Sequence, residues 1–242
     1  MSLQPLLIAL QFLTIIPVRV STPVNPLQIG QSLLFYPVIG LIISSILLVA
    51  IWILNTQSIA VSAALILSLW VILSGGLHLD GLADSADAWL GGLGDKAKTL
   101  LIMKDPAIGP IAVAILILVL LIKFVMLVEL LSQHNYLAII FAVTLARSAL
   151  PLLFLSTPYV RQDGIGALLV AHQPRMATIW LLAAIALLSV LFSGLALLIS
   201  ALLVFSVLRY NMQQRLNGTT GDTAGAMVEI LETTILITAV II

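Results

Sequence analysis

Charged residues are scarce in this chain. Only 8% of its 242 residues are Asp, Glu, Lys or Arg, whereas 62% are hydrophobic. A water-soluble globular domain carries roughly 25% charged residues. The deficit excludes an ordinary soluble fold and indicates a protein that lies in a lipid bilayer along most of its length.

Cysteine is absent, and neither sign of charge is in excess. The ten acidic residues balance the ten basic ones. Without cysteine the chain has no disulfides and no thiolate metal sites. Because the formal net charge is zero, we expect no nucleic-acid partner.

Long apolar runs predict an all-α fold, namely a polytopic bundle of about six transmembrane helices. We expect residues 1–242 to form a single integral-membrane domain. The apolar stretch 3–18 is too short to cross a bilayer, so we expect an N-terminal re-entrant or interfacial helix there. Residues 176–208 carry no charge and would be about 50 Å long as one helix. That length exceeds one crossing, so we predict a tight helical hairpin at Ser193-Gly194.

The Lys and Arg residues predict the orientation. The turns 55–57, 132–135 and 193–194 contain neither Lys nor Arg. The segments expected on the opposite side carry Arg19, Lys96, Lys98, Lys104, Arg161, Arg175, Arg209 and Arg215. Since basic residues concentrate in cytoplasmic loops, we expect that side, and the acidic stretch described next, to face the cytoplasm.

Three aspartates follow the second apolar run. Asp80, Asp84 and Asp87 are separated by four and three residues, so on a helix they share one face. A solvated acidic loop is the alternative, but the apolar neighbours Leu77 and Leu82 favour a helix. Clustered carboxylates suit Mg²⁺ or a related ion such as Mn²⁺. We therefore predict the metal platform of a phosphoryl-transfer site.

Polar residues on either side of the aspartates are further candidates. His78 could act as a general base, bind a ligand or simply end a helix, and Gly81 leaves room for a phosphate beside the backbone. Asp105 before Pro106 is typical of a helix N-cap, although Asp105 could also complete the metal site. Lys104 suits either phosphate binding or a position at the membrane surface.

A second glycine-rich segment, 217–222, precedes the last apolar run. Gly221 and the helix start predicted there suit an anionic group, and Asp222 is a good N-cap. Ionisable groups also occur inside the apolar runs, where a paired or functional role is the default. Arg147 pairs with Glu229 or Glu129, or binds phosphate, and the sequence leaves these alternatives open.

Three motifs carry a resemblance to a known family. They are HLDGLAD at 78–84 followed by Asp87, MKDPAIG at 103–109, and TGDTAGA at 220–226 followed by Glu229. In this order they resemble the cobalamin synthase family, whose members are adenosylcobinamide-GDP ribazoletransferases. The likeness extends over nearly the whole chain.

The resemblance implies an Mg²⁺-dependent transferase of the cell inner membrane that completes cobalamin biosynthesis. The 5′-hydroxyl of α-ribazole, or of its 5′-phosphate form, is expected to attack the cobinamide-bearing phosphate of adenosylcobinamide-GDP. GMP then leaves. The implied catalytic residues are His78, Asp80 and Asp84, and the implied substrate-binding residues are Lys104, Gly221 and Arg147. The implied metal ligands are Asp80, Asp84, Asp87, Asp105, Asp222 and Glu229.

Other interpretations remain. The aspartate spacing also resembles that of CDP-alcohol phosphotransferases, which make phospholipids, but Asp84 stands near a position where their motif carries Arg. An ion-coupled transporter would place acids near the membrane midplane within inverted repeats, and no such repeat is visible. Either a homo-oligomer or an association with other cobamide-assembly enzymes is compatible with the sequence.

Overall fold

The computed structural model describes residues 3–161 and 163–242. Within these ranges the protein is helical, and the only strand-like feature is one parallel bridge between Tyr159 and Thr219. The α-helices are α1 (Gln4–Leu13), α2 (Pro26–Ser32), α3 (Tyr36–Ile53), α4 (Ile59–Leu73), α5 (Leu77–Gly91), α6 (Lys96–Ile102), α7 (Pro110–Ser132), α8 (Tyr136–Ser156), α9 (Ile165–Ala171), α10 (Arg175–Ser193), α11 (Leu195–Leu216) and α12 (Gly221–Ile241).

The bundle confirms the predicted class of a polytopic helical membrane protein. Among the described residues, six helical segments are long and apolar enough to cross a membrane: 26–53, which joins α2 and α3 through a 3₁₀ turn, and α7, α8, α10, α11 and α12. Helices α4 and α5 meet the same test only together, and they are bent by 86°. We therefore treat α5 as a helix outside the six spanning segments.

Helices α8 and α12 form the centre of the bundle. In their most apolar windows, 78% and 67% of the residues are buried inside the protein, against 17% or less in α7, α10 and α11. Helix α12 packs most extensively on α5 and α8, and α8 packs on α3. The outer helices leave many large apolar side chains exposed, as expected of surfaces that face lipid.

Glycine permits the tightest of these contacts. A Cβ atom at Gly40 of α3 would lie 2.8 Å from the Cα atom of Thr144 in α8. Membrane helices use such small residues to bring two backbones together, because van der Waals packing is then their main source of attraction. Gly40 thus sets the distance between α3 and the central helix α8.

Several local predictions can be compared directly with the helices. The break at Ser193-Gly194 is confirmed, since α10 ends at Ser193 and Gly194 has a φ of +84°. The N-terminal segment contains a short helix, α1, and the residues that follow it, 14–20, have no regular secondary structure. Helix α11 continues beyond the uncharged run 176–208 and ends at Leu216, so Arg209 and Arg215 are helical.

Both predicted N-caps are wrong. Helix α7 begins at Pro110 with Gly109 as its N-cap, while Asp105 accepts a hydrogen bond from the Ala107 N–H in the preceding loop. Helix α12 is capped by Thr220 rather than Asp222, because Thr220 and Thr223 form a reciprocal capping box. Thr220 accepts a hydrogen bond from the free Thr223 N–H of α12, whereas Gly109 has no side chain with which to cap α7.

Candidate active site

A glycine bend directs α5 across the end of the bundle. Gly75 and Gly76 have φ values of +62° and +69°, which side chains other than glycine rarely adopt. They turn the chain by 86° between α4 and α5. As a result, α5 leaves the direction of α4 and carries the aspartates along the surface at which α12 begins.

Helix α5 is pressed against the first turn of α12. A Cβ atom at Gly81 would lie 2.7 Å from the carbonyl oxygen and 3.1 Å from the Cα atom of Asp222. The space that a side chain would occupy at Gly81 is therefore filled by protein backbone, while Gly81 also lines a cavity shared with Asp80 and Asp222. The approach of a phosphate to Gly81 stays a prediction. The close packing at Gly81 brings its neighbours Asp80 and Asp84 close to Asp222.

The position of Asp222 is further set by a basic side chain. The segment 157–161 pairs with 217–220, with the Val160 N–H donating to the Thr219 carbonyl oxygen at 2.8 Å. This pairing places Arg161 next to the start of α12, where its Nη2 donates to Oδ2 of Asp222 at 2.6 Å. The ion pair is partly open to solvent, so substrate can reach it.

The carboxylates influence one another electrostatically. Partial burial, together with the negative charges of Asp80 and Asp222, raises the pKa of Asp84 to about 6, although Arg161 opposes this shift. Like charges disfavour ionisation of their neighbours, and a bound cation removes that penalty. Asp80, Asp84 and Asp222, which we name the acid cluster, thus lie near enough to influence one another's charge.

Asp87 has structural partners. Its Oδ2 accepts a hydrogen bond from the Gly109 N–H at 2.6 Å, and its Oδ1 accepts one from the Ala112 N–H at 3.0 Å. It therefore caps the N-terminus of α7 from the neighbouring helix α5. Asp105, the other acid predicted nearby, is exposed and bonds to its own loop.

The ionisable groups of the spanning helices form a separate buried cluster. Lys123 Nζ lies 2.5 Å from Oε2 of Glu229 and 2.5 Å from Oε2 of Glu232, and Arg147 Nη1 lies 2.5 Å from Oε1 of Glu232. We name Lys123, Arg147, Glu229 and Glu232 the buried ion cluster. Glu229 is thus paired with a lysine, and Arg147 is fully buried against Glu232.

These contacts change the roles predicted for Glu229 and Arg147. The predicted partners of Arg147 were Glu229 or Glu129, whereas the ion pair forms with Glu232. A completely buried guanidinium does not suit the binding of a substrate phosphate. The carboxylate of Glu229 is paired with the ammonium group of Lys123, whereas the carboxylate of a metal ligand would face the metal ion.

The remaining predicted site residues lie around two cavities. His78 is 3% exposed and lines a cavity of about 150 Å³ together with Asp80, Gly221 and Asp222. Lys104 and Arg161 line an open recess of about 500 Å³, to which α6, Val160 and Asp163 also contribute. Asp222, which lines the first space, and Arg161, which lines the second, are joined by their ion pair.

A ready-made metal centre is not observed. Across residues 3–161 and 163–242, no three His, Asp or Glu side chains are arranged closely enough to hold a metal ion. Of the six predicted ligands, the acid cluster unites Asp80, Asp84 and Asp222, while Asp87, Asp105 and Glu229 have other partners. Metal binding itself stays a prediction.

Arg161 and Lys123 are the residues whose contacts the sequence did not reveal. Arg161 was used only as evidence of topology, yet it neutralises Asp222. Lys123 lies inside an apolar run, and no partner was predicted for it. The sequence did contain a signal for that pairing. Lys123 lies at membrane depth, and a later helix carries Glu229 and Glu232, three residues apart.

The fold and the site together define a class. This is a multi-pass helical membrane enzyme whose acidic residues gather where a surface helix crosses the start of a central spanning helix. Residues 5–240 match the family model described as cobalamin-5-phosphate synthase, and the chain belongs to that family.

Curated relatives agree with the family assignment along the full chain. A protein of Pseudomonas fluorescens strain Pf-5 is 51% identical over 240 residues, which cover 96% of this chain and 97% of that protein. A protein of Pseudomonas aeruginosa PAO1 is 50% identical with 98% and 97% covered, and one of Stutzerimonas stutzeri A1501 is 49% identical with 96% of each covered. All three are named adenosylcobinamide-GDP ribazoletransferase. No solved structure matches the chain significantly.

Proposed function

We propose that this protein transfers the adenosylcobinamide-phosphate group from adenosylcobinamide-GDP to α-ribazole or its 5′-phosphate, with release of GMP. The product is adenosylcobalamin or its 5′-phosphate. The observation that carries the proposal is the acid cluster, formed by Asp80, Asp84 and Asp222 at one end of a bundle with this family's sequence. The bias of Lys and Arg towards the same side of the bundle supports a site on the cytoplasmic face of the inner membrane.

We include Mg²⁺ in the proposal because the acid cluster supplies the oxygen donors that this ion prefers. Mg²⁺ is usually held in proteins by one or two carboxylates together with substrate phosphates and water. Such a site needs no closed protein cage, which agrees with the open arrangement of the three acids. When bound, Mg²⁺ would neutralise the diphosphate and stabilise the departing GMP.

The donor diphosphate is assigned to the recess beside the acid cluster. Lys104 and Arg161 line this recess, and each carries donors suited to phosphate oxygens. Arg161 already holds Asp222 at 2.6 Å, so its guanidinium is fixed next to the proposed metal ligands. A phosphate bound by Arg161 would lie within reach of the acid cluster, which is the positioning that phosphoryl transfer requires.

The chemical step forms one bond and breaks one. A ribose hydroxyl oxygen of the acceptor bonds to the cobinamide-bearing phosphorus, and the bond from that phosphorus to the bridging oxygen breaks, so that GMP keeps the bridging oxygen. The hydroxyl proton passes to a base, for which His78 and Asp80 are candidates because both line the cavity next to Asp222.

The 5′-hydroxyl is not the attacking group when the acceptor is phosphorylated. The family description refers to a cobalamin 5-phosphate, a product that still carries the phosphate at this position. The 5′-oxygen is then occupied, and the attack must come from another ribose hydroxyl. The expectation of a 5′-hydroxyl nucleophile is corrected accordingly.

Purified protein in lipid nanodiscs tests this function. With Mg²⁺, adenosylcobinamide-GDP and α-ribazole, we expect adenosylcobalamin and GMP in equal amounts, and no turnover when EDTA removes the metal. Asp80→Asn and Asp84→Asn should each abolish turnover while expression and membrane insertion stay normal. Asp95→Asn is the matched control, since Asp95 caps α6 and asparagine caps helices equally well.

The competing phospholipid reaction is tested in the same preparation. With CDP-diacylglycerol and an alcohol acceptor, a CDP-alcohol phosphotransferase would release CMP. CMP release together with failure to consume adenosylcobinamide-GDP would overturn the proposal. Undiminished turnover in Asp80→Asn would instead remove Asp80 from the reaction.

A further inference from the structure

The cavity lined by His78 has apolar walls, which a metal site does not require. It is bounded by residues from six helices and from the segment after α8, and its volume is about 150 Å³. Leu150, Phe154 and Leu169 provide apolar walls, and all three are at least 93% buried. Asp80 and Asp222 of the acid cluster line the same cavity. An apolar compartment is therefore continuous with the proposed reaction site.

Aromatic rings surround this compartment in two pairs. The rings of Phe12 and Tyr36 stack with their centroids 6.4 Å apart, and the rings of Phe154 and Tyr159 meet edge to face at 6.1 Å. All four residues line the cavity. Aromatic walls favour a flat ring system, because offset stacking and edge contacts add to the gain from burial.

Two buried polar atoms at the cavity residues lack partners. Among residues 3–161 and 163–242, Nδ1 of His78 finds no hydrogen-bond partner, and the hydroxyl of Tyr36, although it lies near Ser32, makes no hydrogen bond of normal geometry. His78 is 3% exposed and Tyr36 is 1% exposed. A buried polar group without a partner is destabilising, so such groups are expected to acquire partners when a ligand binds.

The two substrates of the proposed reaction contain flat bicyclic bases whose polar edges differ. Adenosylcobinamide-GDP carries guanine and, on its adenosyl group, adenine, and each of these bases needs several polar partners if buried. A benzimidazole base presents one free ring nitrogen and otherwise hydrocarbon edges. The apolar and aromatic walls of the cavity match these hydrocarbon edges, and the Tyr36 hydroxyl carries the single donor that the free nitrogen needs.

We propose that this cavity binds the base of α-ribazole, with the ribose directed towards Asp80 and Asp222. This inference rests on the proposed function for the identity of the ligand. It also gives the two substrates separate places, since Asp222 lines the cavity assigned to the acceptor base and Arg161 lines the recess assigned to the donor phosphates. The ion pair between Arg161 and Asp222 connects the two places, which keeps the substrates near one another.

Binding measured without turnover tests the cavity directly. The intrinsic fluorescence of α-ribazole reports its dissociation constant for the protein in nanodiscs. Phe154→Leu removes an aromatic wall, and Phe205→Leu is the matched control, because both phenylalanines are 7% exposed and Phe205 lines a different cavity. We expect about tenfold weaker α-ribazole binding in Phe154→Leu and no change in Phe205→Leu.

Tyr36→Phe provides a second variant that removes only the unpaired hydroxyl. We expect weaker α-ribazole binding here also, with the KM for adenosylcobinamide-GDP within twofold of wild type. This variant carries the test if Phe154→Leu does not fold. Unchanged α-ribazole binding in the folded variants would overturn the inference, as would a loss of GMP binding in place of α-ribazole binding.

The outcomes also distinguish this inference from the proposed function. Suppose that the wild type turns over but that substitution of Phe154 and Tyr36 leaves α-ribazole binding unchanged. This result would overturn the cavity assignment alone. Conversely, α-ribazole binding that depends on Phe154 in a protein without transferase activity would support the cavity and overturn the proposed reaction.

Discussion

Glu232 is the residue on which the buried ion cluster depends most. Its two carboxylate oxygens bind different cations, Oε2 to Lys123 and Oε1 to Arg147, each at 2.5 Å. With Glu229 included, two cations and two anions balance one another in the centre of the bundle. Replacing Glu232 with glutamine would leave one positive charge without compensation in a region that water does not reach.

The size of the effect follows from that burial. Removing one partner of a buried ion pair destabilises a protein by about 3–5 kcal/mol, because the other charge is left unpaired. In the part of the chain that the structure describes, Nε and Nη2 of Arg147 have no hydrogen-bond partner, so no second anion there can replace Glu232. Since glutamine retains some hydrogen bonding, we expect Glu232→Gln to lower the free energy of unfolding by about 3 kcal/mol.

Unfolding by denaturant in a mild detergent, followed by circular dichroism, measures this change. Glu129→Gln is the matched control, because Glu129 is an exposed glutamate on α7. Surface substitutions change stability by about 0.5 kcal/mol or less, so the control should unfold like wild type. Adding Arg147→Met to Glu232→Gln should recover part of the lost stability, because the uncompensated charge is then removed. Equal stability of Glu232→Gln and Glu129→Gln would refute the reasoning.

Two further substitutions test how the acid cluster is positioned. In Gly81→Ala the new methyl group would lie 2.7 Å from the Asp222 carbonyl oxygen, so we expect α5 and α12 to move apart and turnover to fall by at least about tenfold. Gly91→Ala meets only the flexible end of Ile102 and should keep its activity; equal turnover in the two variants would contradict this role of Gly81. Asp87→Ala removes a cap from α7, so it should cost about 1 kcal/mol of stability and reduce turnover only modestly, as measured by unfolding and the transferase assay. Complete loss of turnover in a stable Asp87→Asn protein would return Asp87 to the metal ligands.

The agreement between sequence and structure is best for local properties. The helical hairpin at Ser193-Gly194 was predicted because a run of uncharged residues has a fixed length per residue. Helix α5 was predicted because its aspartates and leucines follow a helical period. Each of these inferences needs only neighbouring residues along the chain.

The disagreements concern contacts between helices. Asp87 has the same spacing as its fellow aspartates, yet it caps α7, because that helix begins beside it. Arg147 pairs with Glu232 and not with Glu229 or Glu129, since the choice depends on how α8 and α12 are rotated against each other. Spacing along one helix contains no information on such a rotation.

By itself the amino-acid sequence determined the membrane class, the helices and the resemblance to a transferase family, because hydrophobic length, helical period and motif order are properties of the chain alone. The tertiary structure decided which acids meet. Asp222 lies near Asp80 and Asp84 because Gly81 allows two backbones to approach closely. Glu229 instead forms a buried ion pair with Lys123. Packing between distant segments made that selection, and only the folded bundle brings those segments together.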